Sequence, residues 1–194
     1  MRQVTQADVE LYNWHRAVGW ELAQHRIIVQ GRWRRLLTWW TKRKLREAEH
    51  HLELALEVNP TGWQAMWLLG KIHQRLGDHG QALGWLSRAH AINPSQPDVA
   101  REAGLESLAV RDPHRGKEFF DAAIRANPED AGLVANLALA QLLAGSVDDA
   151  HQAANEAVAR DPKDPVSRAV LRAVSKVRSG KARIPRTIAE VQRL

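Results

Sequence analysis

The chain has 194 residues and no cysteine. This absence excludes disulfides, thiolate metal ligands and cysteine nucleophiles together. No stretch reaches the roughly 18 uncharged apolar residues that a membrane-spanning helix needs. Residues 1–8 contain no apolar core of signal-peptide length. These absences predict a soluble, cytoplasmic protein. Peripheral attachment to a membrane stays open as an alternative.

Signatures of catalysis are missing as well. The sequence has no glycine-rich phosphate loop, no nucleophile elbow and no zinc-binding His-Glu-x-x-His pattern. His50 and His51 are neighbours on a predicted helix, so they do not face each other, and no third ligand stands at metal spacing. Glu47, Glu49 and Glu53 are explained as outward charges of the same amphipathic helix. We therefore expect that the protein is not an enzyme and that it has no cofactor and no metal site.

What the sequence does contain is a period of 34 residues. Four prolines recur at this interval, each after Asn or Asp: Pro60, Pro94, Pro128 and Pro162. Three columns of small or apolar residues share the period and are spaced four and three residues apart, which places them on one helical face. The columns are Ala48, Ala82, Gly116 and Ala150; Leu52, Leu86, Phe120 and Ala154; and Ala55, Ala89, Ala123 and Ala157. The period predicts one helix–turn–helix unit stacked on copies of itself in one continuous domain.

The units resemble the tetratricopeptide repeat family, whose unit is a 34-residue antiparallel helix pair. Leu69 and Gly70 match the Leu-Gly pair of that family, and Gly77 and Gly145 match its inter-helix glycine. The resemblance implies an all-α, right-handed superhelical solenoid of antiparallel helix pairs. The implied repeats are 29–62, 63–96, 97–130 and 131–164.

The first implied repeat fits the family least well. Its first helix matches only after a shift of one residue, and Arg43 and Lys44 stand where the inter-helix glycine belongs. With that shift, the aromatic and leucine places are taken by Trp33, Leu36, Leu37 and Trp40.

The flanking segments are predicted to cap the solenoid, because its outermost helices have no neighbour on one side. Residues 1–28 form an amphipathic helix at one end, and 165–180 form a capping helix at the other. A basic tail, 181–194, follows, with a capping-box pattern from Thr187 to Glu190 that opens a short helix. We expect about ten helices and no strand.

Basic residues are concentrated near both ends of the chain. Residues 26–46 contain eight basic residues and no acid, and 168–194 contain eight basic residues and one acid. The net charge of +6 therefore hides an acidic middle. The predicted basic patch comprises Arg32, Arg34, Arg35, Lys42, Arg43, Lys44 and Arg46.

Tryptophans interleave with this basic patch, and three interpretations of them stay open. In the first interpretation the tryptophans fill a core between the first helices, and arginine stems lie over them. These residues are Trp14, Trp20, Trp33, Trp39 and Trp40. Alternatively, they belong to a surface that binds an acidic protein or anionic membrane headgroups. In the third interpretation the same surface binds nucleic acid through phosphate contacts and base stacking.

The family resemblance implies where a partner binds. In such proteins the first helices of successive units line a concave groove that holds a peptide or a partner helix. The corresponding residues are Trp67, Lys71, Gln74, Arg75, Arg101, Leu105, Leu108, Ala135, Leu139 and Leu142. This surface suits a protein or peptide with apolar and acidic character. An equal alternative is that the C-terminal cap, or a second copy of the chain, covers the leucines.

The sequence therefore predicts a non-catalytic protein–protein interaction scaffold or assembly factor. Two other functions stay open: docking of the basic, tryptophan-rich surface to an anionic membrane or nucleic acid, and self-assembly. Self-assembly has a ready device, since the apolar tail 184–194 can enter the groove of a neighbouring copy.

Overall fold

The computed structural model describes residues 5–27 and 38–194, and these residues form ten α-helices and no strand. The chain divides into two compact units, Met1–Asn93 and Pro94–Leu194. Unit 1 contains α1 (Gln6–Ile27), α2 (Trp39–Val58), α3 (Trp63–Leu76) and α4 (His79–Ile92). Unit 2 contains α5 (Pro97–Ala109), α6 (Pro113–Ala126), α7 (Ala131–Leu143), α8 (Val147–Arg160), α9 (Pro165–Arg178) and α10 (Ile188–Val191). The boundary falls at the end of the second predicted repeat, and a single uninterrupted stack stays a prediction.

Local sequence explains where the helices begin and end. Gly77 ends α3 in a left-handed conformation, with φ of 82°, which a glycine adopts without steric cost. Asp78 then begins α4, because its side chain accepts a hydrogen bond from the amide of Gln81. Pro113 and Pro165 occupy the first turns of α6 and α9, where the missing N–H leaves no helical bond unmade.

Helices pair through close contacts at small residues. A Cβ placed on Gly70 of α3 would lie 2.6 Å from Cγ of Leu86 in α4, and one on Gly104 of α5 would lie 2.6 Å from the ring of Phe120 in α6. The backbones can approach this closely because glycine has no side chain. The three predicted core columns are confirmed, since all twelve of their residues are buried.

The first helix pair differs from the expected one. Helix α2 runs without a break through Arg43 and Lys44, so the inter-helix turn expected there is wrong. The helix that packs on α2 is α1: a Cβ on Gly19 would lie 2.7 Å from Cγ of Leu52. Gly19 thus takes the place that Gly70 and Gly104 take in the later pairs. Of the residues assigned to the expected first helix, Trp40 lies in the first turn of α2, and Trp33, Leu36 and Leu37 lie outside the described residues.

A polar contact also joins α2 to α3 in unit 1. Nε2 of the buried His73 lies 3.2 Å from a carboxylate oxygen of Glu49, which in turn accepts from Arg46 at 2.8 Å. The Glu49 side chain is only 13% exposed. The prediction that Glu49 is an outward charge is therefore wrong, because its helical face turns toward α3.

The core of unit 2 extends from α5 to the C-terminus of the chain. Phe120, Leu142 and Val174 are fully buried within it. Helix α9 packs against α7 and α8 and is followed by Gly180, whose φ is 74°; its role as a cap stays a prediction. The segment after Gly180, residues 181–194, is called the tail below. Within the described parts of the chain, no helix is long and apolar enough to cross a bilayer.

Candidate partner-binding surfaces

The residues expected to line the groove of unit 2 divide into buried and accessible ones. Leu108, Leu139 and Leu142 are 2%, 8% and 0% exposed, and Ala135 is 0% exposed. All four belong to the apolar core of unit 2. Packing within the unit already covers these four side chains, and a part for them in a partner-binding surface stays a prediction. Arg101 and Leu105 are half-buried and keep part of their surface accessible.

Unit 2 nevertheless has an open groove, which we call the Arg101 groove. It has a volume of about 510 Å³ and lies where the N-terminal turns of α7 and α9 meet the second turn of α5. Arg101, Asn136 and the 53% exposed Val166 contribute to it. The remaining lining residues are Glu129, Asp130, Ala131, Gly132, Arg160, Asp161 and Asp164.

Several charged groups in this groove already have partners. Asp130 begins α7 by accepting from the amides of Gly132 and Leu133. Asp164 begins α9 in the same way, and the hydrogen bond from the Ser167 hydroxyl holds the pKa of its carboxyl below the usual value. Arg160 donates to the Pro128 carbonyl. These side chains line the groove, but their hydrogen bonds within the unit already occupy them.

Arg101 and Asn136 are the polar side chains best placed for a ligand. The Arg101 guanidinium lies 3.0 Å from Asp98 and 3.5 Å from Glu102, both on its own helix, and its side chain is 36% exposed. The Asn136 side chain is half-buried and makes no hydrogen bond to any residue that the structure describes. An amide of this kind offers two donors and an acceptor, which match a peptide backbone.

Asn136 is absent from the expected site, which includes its neighbour Ala135. The signal that identifies it is polarity: Asn136 is the polar side chain within an apolar stretch of α7, Ala131–Ala140. On α7, therefore, Asn136 marks the face that is accessible from the groove, and Ala135 marks the face that packs in the core.

In unit 1, the expected groove residues all lie half-buried on α3: Trp67, Lys71, Gln74 and Arg75. Arg75 has a structural contact, because its Nε donates to the carbonyl of Arg26, 2.9 Å away, in the last turn of α1. Cations stabilise the C-terminal end of a helix in this way. Arg75 therefore fastens α1 to α3, and a partner-binding role for it stays a prediction.

Two tryptophans are exposed at the start of α2. Trp39 and Trp40 are 64% and 65% exposed, with ring centroids 4.6 Å apart in an edge-to-face arrangement. The Arg43 guanidinium lies 5.7 and 5.8 Å from the two rings, within cation–π range. Trp14 is also exposed, at 55%. The interpretation of the tryptophans as core is therefore wrong for these three.

The basic residues beside these tryptophans are in part paired. Lys44 binds Glu47 at 2.8 Å, and this hydrogen bond holds the pKa of Glu47 below its usual value. Lys42 and Arg43 make no ion pair with the described residues. We call Trp39, Trp40, Lys42 and Arg43 the Trp–Arg surface. Arg32, Arg34 and Arg35 of the expected basic patch lie outside the described residues.

Two histidines meet between α1 and α2. The Nδ1 atoms of His15 and His51 are 3.1 Å apart, and the Trp14 ring lies edge-on to both imidazoles. Burial lowers the pKa of His15, and the neighbouring His51 and His50 lower it further. Among the residues that the structure describes, no three His, Asp or Glu side chains converge to hold a metal ion.

These helix pairs, with a small residue at each close contact, define a helical-repeat protein. Two sequence profiles described as tetratricopeptide repeat match the chain, at residues 40–97 and 107–174. The chain belongs to the tetratricopeptide repeat family. No curated protein matches it in sequence.

Solved structures share the fold at low sequence identity. MamA residues 41 to the end, from Desulfovibrio magneticus RS-1, superposes with a TM-score of 0.72 at 16% identity, over 92% of this chain and 88% of that one. YrrB, described as a protein with an unusual peptide-binding site, gives 0.63 at 15% identity, over 73% and 72%. The first repeat domain of Spaghetti (RPAP3), bound to the HSP90 peptide SRMEEVD, gives 0.56 at 11% identity, over 60% and 93%. At these identities the likeness is one of fold.

Proposed function

We propose that this chain is a non-catalytic scaffold or assembly factor that binds a peptide or helical segment of a protein partner in the Arg101 groove. The observation that carries the proposal is the Asn136 amide, which makes no hydrogen bond to any described residue and lines an open groove. Two proteins of the same fold, YrrB and Spaghetti, are described with a peptide-binding site and with a bound peptide. The fold is therefore compatible with peptide binding.

The groove favours a particular partner chemistry. Asn136 suits the backbone of an extended or helical segment, and Val166 offers an apolar contact. Arg101 suits an acidic side chain, as the sequence predicts. The exposed carboxylates of Glu129 and Asp161 stand in the same lining and suit a basic side chain. The partner segment we propose is thus apolar at one point and carries both signs of charge.

The test is affinity capture from the cells in which the protein occurs, with mass spectrometry as the readout. Asn136→Ala and Arg101→Glu should each lose a partner that the unaltered chain retains. Arg125→Glu, which makes the same charge change at an exposed position of α6 outside the groove, should retain that partner. Equal capture by all four proteins would refute the groove assignment.

A second function is favoured by a separate observation, the exposure of Trp39 and Trp40. We propose that the Trp–Arg surface docks to an anionic membrane, because tryptophan rings suit the headgroup region and Lys42 and Arg43 add attraction to acidic lipids. Each exposed cation near such a surface contributes about 1 kcal/mol. The attraction falls with ionic strength, since the Debye length shortens to about 8 Å at physiological salt.

Co-sedimentation with vesicles tests this second function. Phosphatidylserine-containing vesicles should bind the chain at low salt, and phosphatidylcholine vesicles should not. A Trp39→Ser, Trp40→Ser double variant should bind the phosphatidylserine vesicles less than the unaltered chain does. Trp14→Ser, a change at another exposed tryptophan, should bind them as the unaltered chain does. Binding to a single-stranded oligonucleotide without binding to either vesicle would reject the membrane in favour of nucleic acid.

A further inference from the structure

The tail folds back onto unit 2. Val191 is 9% exposed and belongs to the same apolar cluster as Leu108, Leu139 and Leu142, and Ile188 and Leu194 pack against that cluster. These three tail residues are spaced by three, and three-residue backbone turns continue from α10 to Leu194, so the three side chains lie on one face. The tail is therefore a short amphipathic segment laid on the apolar core of unit 2.

Polar contacts hold both ends of this segment. Thr187 begins α10 by accepting from the Glu190 amide, and the Glu190 carboxylate accepts from the Arg186 amide at 2.9 Å. That hydrogen bond lowers the pKa of Glu190, and the charge of Arg111, in the turn after α5, adds to the effect. At the other end Lys176 of α9 donates to the Leu194 carbonyl. The end of the tail is thus held at the C-terminal end of α9.

The position of the tail complements that of the Arg101 groove. The groove lies at the N-terminal turns of α7 and α9, whereas Lys176, which holds the end of the tail, lies in the last turn of α9. Unit 2 therefore has an open surface at the N-terminal end of α9 and a surface covered by the tail at the C-terminal end of that helix.

We infer that the tail is an intramolecular ligand of unit 2. It occupies a surface that accepts an amphipathic partner segment with three apolar residues at three-residue spacing, and such a segment binds only by displacing it. A segment held by two buried residues, Pro185 and Val191, by a few half-buried ones and by a few hydrogen bonds belongs to the low-stability end of a fold and opens readily. This inference deepens the proposed function, because it gives the partner a second contact and makes access to it competitive.

The test uses the full chain and a fluorescent peptide of residues 181–194 as the probe. In Val191→Asp, a buried charge releases the tail of the chain from its site, so the probe should bind at least tenfold more tightly than it binds the unaltered chain, as measured by fluorescence anisotropy. Gln192→Asp adds the same charge at the next, exposed position and should behave as the unaltered chain does. Circular dichroism establishes that each variant is folded; if Val191→Asp is not, Val191→Ala serves in its place with a smaller expected gain.

Two results would overturn the inference. Failure of the probe to bind the released variant would show that the tail is a fixed part of the core. A dimer of the unaltered chain that Val191→Asp abolishes on a sizing column would assign the surface to the tail of a second copy. The proposed function is separable, because Asn136→Ala should leave probe binding unchanged while it reduces partner capture.

Discussion

Gly70 and Gly84 offer a matched pair of substitutions that isolates the close contact between α3 and α4. Both glycines lie in helix interiors of unit 1. A Cβ at Gly70 would lie 2.6 Å from Cγ and 2.8 Å from Cδ2 of the fully buried Leu86. A Cβ at Gly84 would meet nothing within 4 Å.

Alanine improves helix propensity by about 1 kcal/mol at either position. At Gly84 nothing opposes this gain, so Gly84→Ala should raise the free energy of unfolding by about 0.5–1 kcal/mol. At Gly70 the new methyl group overpacks a filled core, which costs about 1–3 kcal/mol. Because the propensity gain is common to both, the two variants should differ by about 1–3 kcal/mol, with Gly70→Ala the less stable.

Urea denaturation followed by circular dichroism measures both free energies, and a thermal melt should separate the midpoints by about 2–4 °C for each kcal/mol. An unaltered m-value would show that the denatured states are comparable. If Gly70→Ala proved as stable as Gly84→Ala, the account of helix pairing through small residues would fail.

Three further outcomes follow from the same structure. The pKa of His15 is lowered in the folded chain, so the unfolded chain binds a proton near pH 6.5 that the folded chain does not bind. Thermal stability should therefore fall as the pH drops below about 6.5. His15→Gln should flatten this pH dependence. Phe120→Ala should lower the free energy of unfolding by about 3–5 kcal/mol in urea, because the ring is fully buried. Asp164→Ala should cost about 0.5–2 kcal/mol in the same assay, because the amides of Val166 and Ser167 lose their acceptor.

The sequence predicted most of the fold because the repeat is periodic. Every residue in the columns that begin at Ala48, Leu52 and Ala55 is buried as expected. The first pair escaped prediction because a fixed period of 34 cannot follow an insertion. Gly19 stands 17 residues before the position that the period assigns to it. The dipeptide Val18-Gly19, similar to Leu69-Gly70, is the local signal that identifies its place.

The candidate site was harder to predict, because helix periodicity marks apolar residues without saying what covers them. Leu139 and Leu142 have the spacing of a binding face, yet the core that includes the tail residue Val191 buries them. Trp39 and Trp40 illustrate the opposite error, since aromatic residues at helical spacing were as consistent with a core as with the exposed position they occupy. Burial depends on neighbours distant in sequence, and a single sequence does not place them.

The pairing of α1 with α2 bears on the order in which the chain folds. Gly19 and Leu52 are separated by 33 positions, whereas Gly70 and Leu86, and likewise Gly104 and Phe120, are separated by 16. Contacts between residues distant in sequence form more slowly, because more of the chain must be ordered before they are made. We therefore expect the later hairpins to nucleate folding and α1 to dock after them. During synthesis α1 emerges before α2 and α3, so it must wait for both before its own apolar face is covered.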